Sequence, residues 1–283
     1  MGFIEAVILG LVQGLTEFLP ISSSAHLRIM GEFLPSASDP GATFTAITQI
    51  GTELAVILYF RRDIARILSR WFQQFRKPKG AHHEVVDKNH PDVRLGWLVI
   101  IGTIPIVLVG YFAQEYIRST FRSLWLVATV LIVFGIILGI ADYLGKRTRT
   151  IDEMGYRHGI TIGLAQMLAL VPGVSRSGST MTAGLALGYT RPAAARFGFL
   201  LAIPAVFGSG LYELVHSFGE PHQVFTYAET AAATVVAFVV GYAVIAGLMR
   251  YIEKRSFLPF VIYRVALGVT LYVLLSLDVI NPL

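Results

Sequence analysis

Several stretches of about 20 residues in this chain carry almost no charge, and that pattern decides the solvent in which it folds. They include Phe44–Phe60, Leu95–Ala113, Leu124–Ala141, Thr230–Met249 and Phe257–Leu277. As helices, such stretches are long enough to cross roughly 30 Å of hydrocarbon. In lipid every backbone polar group must be satisfied within the protein, so an all-α polytopic membrane protein is expected. The composition agrees: among 283 residues 54% are hydrophobic and 14% charged, with a mean hydropathy of +0.64. The sequence contains no cysteine. Disulfides, thiolate metal sites and cysteine nucleophiles are therefore excluded, and any chemistry must use oxygen, nitrogen or a metal held by them.

A formal net charge of +5 raises nucleic acid as a partner, but the basic residues sit in short stretches between the apolar ones. Arg61–Arg94 holds the densest group and is partly amphipathic up to Phe75; Lys146–Arg157 and Arg250–Arg255 follow, whereas His216–Tyr227 has no Lys or Arg. Positive residues stay on the cytoplasmic side, so the asymmetry predicts a multi-pass protein with both termini outside and no nucleic-acid partner. Met1–Glu5 lacks the basic region of a signal peptide, so the N-terminus is read as mature protein.

Two apolar stretches do not read as single spans. Gly2–Gly31 is interrupted by Pro20 and three serines, and Ile160–Gly188 by Pro172, Gly173 and Ser175–Gly178. Each is expected to be a re-entrant helix pair, because broken backbone at membrane depth survives only where protein buries it or it lines a cavity. A shift of 153 positions pairs Gly10 with Gly163, Gln13 with Gln166, Ser22 with Ser175 and Ser24 with Ser177. One pair is expected to enter from outside and the other from the cytoplasm, which makes an inverted-topology repeat with its serine-rich tips meeting near the midplane. The expected architecture is one membrane domain over 1–283, with six transmembrane helices, two re-entrant pairs and repeat halves of about 1–142 and 158–283.

The first tip crowds Glu17, the hydroxyls of Ser22, Ser23 and Ser24, and the imidazole of His26 into an apolar stretch that begins at Gln13. Ionisable groups inside a membrane are costly and mark pathways or sites. A helix starting near Ser22 would offer free amides to an anion and place Ser23 and His26 on one face. The second tip, Pro172–Thr180, supplies Ser175, Ser177, Gly178 and Thr180 around Arg176, whose forked donors suit phosphate. Phosphoryl transfer needs an in-line nucleophile, charge neutralisation and a proton route; a hydroxyl, Arg176, and His26 with Glu17 form such a set. His82, His83, Glu84, Asp87 and His90 offer a metal reading but lie in a charged loop without a helical ligand motif. For Gln49, Glu53, Glu213 and Arg264, in or near spans, cavity lining and structural pairing stand equal.

Through Glu17–His26 and Pro172–Thr180, and across essentially the whole chain, the sequence resembles the undecaprenyl-pyrophosphate phosphatase family associated with bacitracin resistance. The resemblance implies hydrolysis of C55 polyprenyl pyrophosphate to monophosphate and phosphate, recycling the cell-wall carrier lipid in the bacterial inner membrane. It implies Ser23 as nucleophile, His26 and Glu17 as acid/base partners, Arg176 as the pyrophosphate ligand and a site facing the periplasm. Gln13, Ser22, Ser24, Ser175, Ser177, Gly178 and Thr180 are then expected to bind substrate. Family members often carry a glutamate where Gln13 stands, which weakens an obligatory two-glutamate metal site; Mg²⁺ or Ca²⁺ is expected to act through the substrate pyrophosphate, with Glu17 as a candidate ligand. The acid-phosphatase-like lipid phosphatases also have a Ser-Arg motif, but Thr182 stands where their nucleophilic histidine would be. A polyprenyl-phosphate transporter or flippase is the alternative reading of an inverted repeat. The expected partners are the lipid and the bilayer, with a homodimer as the candidate assembly.

Overall fold

A computed structural model describes residues 2–34, 41–75, 87, 90–113, 123–218 and 224–282. Among these residues the chain builds helices and no sheet: α1 (Gly2–Thr16), α2 (Ser23–Gly31), α3 (Gly41–Tyr59), α4 (Arg61–Gln73), α5 (Pro91–Phe112), α6 (Leu124–Leu144), α7 (Tyr156–Met167), α8 (Arg176–Ala186), α9 (Arg191–Ser217), α10 (Tyr227–Ile252) and α11 (Leu258–Ser276). Five of them, α5, α6, α9, α10 and α11, are long and apolar enough to cross a membrane. A sixth candidate is α3 taken with α4, which bends away from it by 77°. The bend falls where the apolar run ends, since α4 carries Arg61, Arg62, Arg66 and Arg70 and buries only Ile67. Of the loop residues raised for metal binding, His82, His83 and Glu84 lie outside the described residues, while His90 caps α5 by accepting from the Asp92 amide at 3.2 Å.

Both interrupted stretches are broken as their prolines and serines require. Proline removes a backbone donor and restricts the residue before it, so neither helix continues through its tip. α1 stops at Thr16 and α2 starts at Ser23; α7 stops at Met167, a 3-10 turn spans Leu168–Leu170, and α8 starts at Arg176. Gly173 takes φ +95° in the second turn, a conformation open to glycine at no steric cost.

Packing repeats between the halves. α1 lies on α10 and α7 on α5, while α3 meets α9 and α6 meets α11. The first two crossings are close because glycine faces backbone: a Cβ on Gly10 would stand 2.4 Å from the Ala233 carbonyl, and one on Gly163 2.5 Å from that of Gly102. Small residues let membrane helices approach in this way. Asp142, at the end of α6, accepts from Arg191 Nε at 2.6 Å and from the Phe257 amide at 2.9 Å, tying together the starts of α9 and α11. The largest apolar cluster includes Phe18, in the first turn, whose ring meets Phe199 of α9 edge-on at 5.5 Å.

Candidate active site

The two tips are built alike from the residue upward. Ser22 caps α2 at φ 74° and ψ 95°, and Ser175 caps α8 at φ 71° and ψ 117°. Side chains other than glycine rarely occupy positive φ, and such strain persists where surrounding structure enforces it. Each cap hydroxyl faces the serine two residues on, at 3.1 Å in both tips. Ser175 Oγ also accepts from the Gly178 amide at 3.1 Å, and Ser22 Oγ from Ala25 at 3.5 Å. The tips touch, with Ser177 Oγ donating to the Leu19 carbonyl at 3.1 Å. Arg264 of α11 holds both: its Nη1 donates to Pro20 and Val174 carbonyls at 3.1 Å, and its Nη2 to Gly173 at 2.8 Å.

Where the tips meet, polar side chains form one network. Ser23 Oγ donates to Glu17 Oε2 at 2.6 Å, and Gln13 Nε2 donates to the same oxygen at 2.6 Å. Arg176 Nη2 donates to Glu17 Oε1 and, at 2.9 Å, to Glu53 Oε1 of α3. A hydroxyl against a carboxylate that a guanidinium also grips has the geometry that a nucleophile and its base require, next to a fixed positive charge.

A cavity of about 590 Å³ opens onto this network. Glu17, Ser22, Ser23, Ser24, Ser175 and Arg176 line its inner end, so the N-termini of α2 and α8 present their first turns to one space. Two helix N-termini facing one cavity favour an anion. Its walls come from the last third of α5, including Ile106, Val107 and Tyr111, and the second half of α9, including Val206, Tyr212 and Glu213. Gln49 lines it as well, and Glu213 accepts from Thr43 at 2.9 Å.

The other expected site residues do not line the cavity. Gln13, Ser177, Gly178 and Thr180 are buried and outside the cavity wall. Thr180 Oγ1 bonds the Arg176 carbonyl at 3.0 Å, and Gly178 leaves room for Arg264, whose Nη1 would stand 3.0 Å from an added Cβ. His26 does not meet Ser23. Its Nδ1 is 2.7 Å from the Ser22 carbonyl and its Nε2 2.7 Å from the Tyr263 hydroxyl, with the two rings stacked at 8°. A carbonyl only accepts, so Nδ1 carries a proton, and in the neutral ring Nε2 accepts from Tyr263.

Among the described residues no group of three or more His, Asp or Glu is gathered for a metal. The network nevertheless has the oxygen donors that Mg²⁺ or Ca²⁺ prefers, and Gln13 Oε1 and Glu53 Oε2 are buried without a hydrogen-bond partner. Of Gln13, Glu17 and Glu53, Glu17 alone lines the cavity, so it is the residue that fits a hard cation whose remaining ligands would come from substrate phosphate and water.

Residues 6–270 match the family described as bacitracin resistance protein BacA. The chain belongs to the BacA family. A protein named undecaprenyl-diphosphatase from Clavibacter michiganensis subsp. michiganensis is 64% identical over 98% of each chain. Two of the same name, from Micrococcus luteus and Paenarthrobacter aurescens, are 59% and 58% identical over 99% of this chain and 100% of theirs. Within this BacA-family chain, the sequence assigned no role to Glu53, Arg264 or Tyr263. The first two carried a signal, a charge inside an apolar helix; a tyrosine near a helix start carries none.

Proposed function

We propose that this chain hydrolyses undecaprenyl pyrophosphate to undecaprenyl monophosphate and phosphate, returning the carrier lipid to cell-wall synthesis and so conferring bacitracin resistance. The observation that carries the reading is the 2.6 Å contact of Ser23 Oγ with Glu17 Oε2, at the inner end of a cavity that Arg176 also lines. The names and near-complete coverage of the relatives agree with it.

In this reading the pyrophosphate enters between the tips, where Arg176 and the first-turn amides of α2 and α8 take its charged oxygens. Ser23 Oγ attacks the terminal phosphorus while its proton passes to Glu17 Oε2. The bond from that phosphorus to the bridging oxygen breaks, its electron pair leaving on undecaprenyl monophosphate. Glu17 gives that proton up to solvent as the monophosphate leaves; the restored carboxylate then takes a proton from the water that attacks the phosphoserine and hands it to Ser23 Oγ as the Ser23 O–P bond breaks, which releases phosphate and regenerates the resting pair. His26 holds the Ser22 carbonyl and Tyr263, and so fixes the strained cap beside the nucleophile. A bound Mg²⁺ or Ca²⁺, with a Glu17 oxygen as its candidate protein ligand, would neutralise phosphate charge.

The finer architecture belongs to the same proposal: two re-entrant pairs in an inverted repeat, with six spans, and both termini and the site on the periplasmic side of the inner membrane. Three observations support it. α1 and α7 correspond under the 153-residue shift, as do Gly10 and Gly163, and each packs through that glycine on the backbone of a long apolar helix, α10 or α5. The strained caps correspond as well. α5 and α9 both begin near basic segments, and the cavity lies toward their opposite ends.

Phosphate release from undecaprenyl pyrophosphate by the purified protein, with and without divalent metal, tests the activity. Wild type is expected to release phosphate, and Ser23→Ala and Arg176→Ala of equal Tm to lose at least about a hundredfold in kcat/KM. Near-normal turnover by Ser23→Ala would replace the covalent route with direct attack by water. No release from folded wild type would end the phosphatase reading.

A further inference from the structure

Glu53 sits in the apolar helix α3 at 1% exposure, sharing one guanidinium nitrogen of Arg176 with Glu17. A buried carboxylate in such a helix is costly, and an apolar side chain would serve packing at least as well. Its placement gives a reason to keep it. Glu17 and Arg176 line the large cavity, and so does Gln49, one turn before Glu53 on α3, but Glu53 does not. It lines instead a separate void of about 10 Å³, which Glu17 and Arg176 also border and Phe18, Gly198 and Phe199 close, with room for about one water. Glu53 therefore grips Arg176 from behind, on the side away from the substrate cavity.

We infer that Glu53 is a positioning residue that anchors Arg176 while Glu17 changes charge; this rests on the proposed hydrolysis. At rest two carboxylates share the Arg176 guanidinium. When the Ser23 oxygen bonds to phosphorus, its proton moves to Glu17 and the electron pair of the breaking bond leaves on the bridging oxygen. Glu17 is then neutral and its pull on Arg176 falls. The charge of Glu53 is unchanged by this step, so the guanidinium keeps its place against the phosphoryl oxygens as charge develops on them. Small misplacements of such a group lower rate strongly. Because Glu53 touches no substrate, its removal acts on kcat and leaves ground-state binding.

The test measures kcat, KM and Tm with undecaprenyl pyrophosphate for wild type, Glu53→Gln, Glu53→Asp and Glu53→Asn in detergent. Glu53→Gln is expected to lower kcat by at least about tenfold with KM within about threefold, and Glu53→Asp to stand at least about threefold above Glu53→Gln in kcat. Wild-type kcat in Glu53→Gln, an Asp variant as slow as the Gln variant, or a loss confined to KM would overturn the inference. If Glu53→Gln fails to fold, the size-matched Asp and Asn variants decide: Asn well below Asp in kcat supports the anchor, and equal kcat overturns it. Folded wild type that releases no phosphate removes the hydrolysis and the inference together, whereas active wild type with unaffected Glu53 variants removes the inference alone.

Discussion

A guanidinium buried at 0% exposure must use its donors, and Arg264 spends them on backbone carbonyls from three separate segments. Leu131 of α6 accepts at 3.2 Å, and the carbonyls of Pro20, Gly173 and Val174 belong to the two tips. These carbonyls lie in turns, where no helix partner is available, and burial leaves no water to replace a lost donor. An unsatisfied buried polar group costs about 1–3 kcal/mol. Arg264→Met is therefore expected to lower Tm in detergent by several degrees and to reduce phosphate release by about tenfold or more, through the tips rather than through substrate contact. Arg264→Lys keeps the charge but not the planar fork, and is expected to fall between the two. A Met variant with wild-type Tm would mean that the tips hold their own geometry.

The helix crossings that bring the tips together depend on residues without side chains. Gly163 of α7 meets the Gly102 backbone of α5 as Gly10 of α1 meets that of Ala233 in α10. Overpacking a close contact costs about 1–3 kcal/mol. Gly163→Val is expected to lower Tm accordingly and to displace α8, which follows α7 directly through the second tip. Gly247 of α10, where an added Cβ meets nothing within 4 Å, supplies the control: Gly247→Val is expected to leave Tm unchanged. Equal effects of the two changes would remove the argument from crossing distance. Apolar run length and the proline-serine breaks make these helix pairs legible in the sequence. The span α9 was harder to read, because Pro204 interrupts it and Arg196 and Glu213 dilute its apolar run.

At the largest scale, the cavity is the space through which the proposed lipid substrate would reach the site. Pro105 and Pro204 lie inside α5 and α9, immediately before the residues that begin the cavity wall on each helix, Ile106 and Ala205. A proline removes an internal hydrogen bond and kinks a helix. Gly208 lines the same cavity, and a Cβ there would meet open space. Gly208→Leu is thus expected to fill cavity rather than disturb packing: Tm within about two degrees of wild type, and KM for the lipid raised by about tenfold or more. Unchanged KM in a folded Gly208→Leu protein would show that the lipid does not use this space.

The sequence by itself determined the solvent, the helical class, the two broken segments and the correspondence between their serines, because hydropathy, proline geometry and internal repetition are local properties of a chain. It also carried the family resemblance, and it named Glu17, Ser23 and Arg176, which the fold brings into one network. Which partners each polar group takes is fixed by the fold. Arg176 reaches Glu53 across 123 positions, His26 turns from Ser23 to Tyr263 across 237, and Arg264 closes on Pro20 across 244. A buried charge is stabilised by whatever donors and acceptors packing places around it, and that choice exists only once distant helices have met.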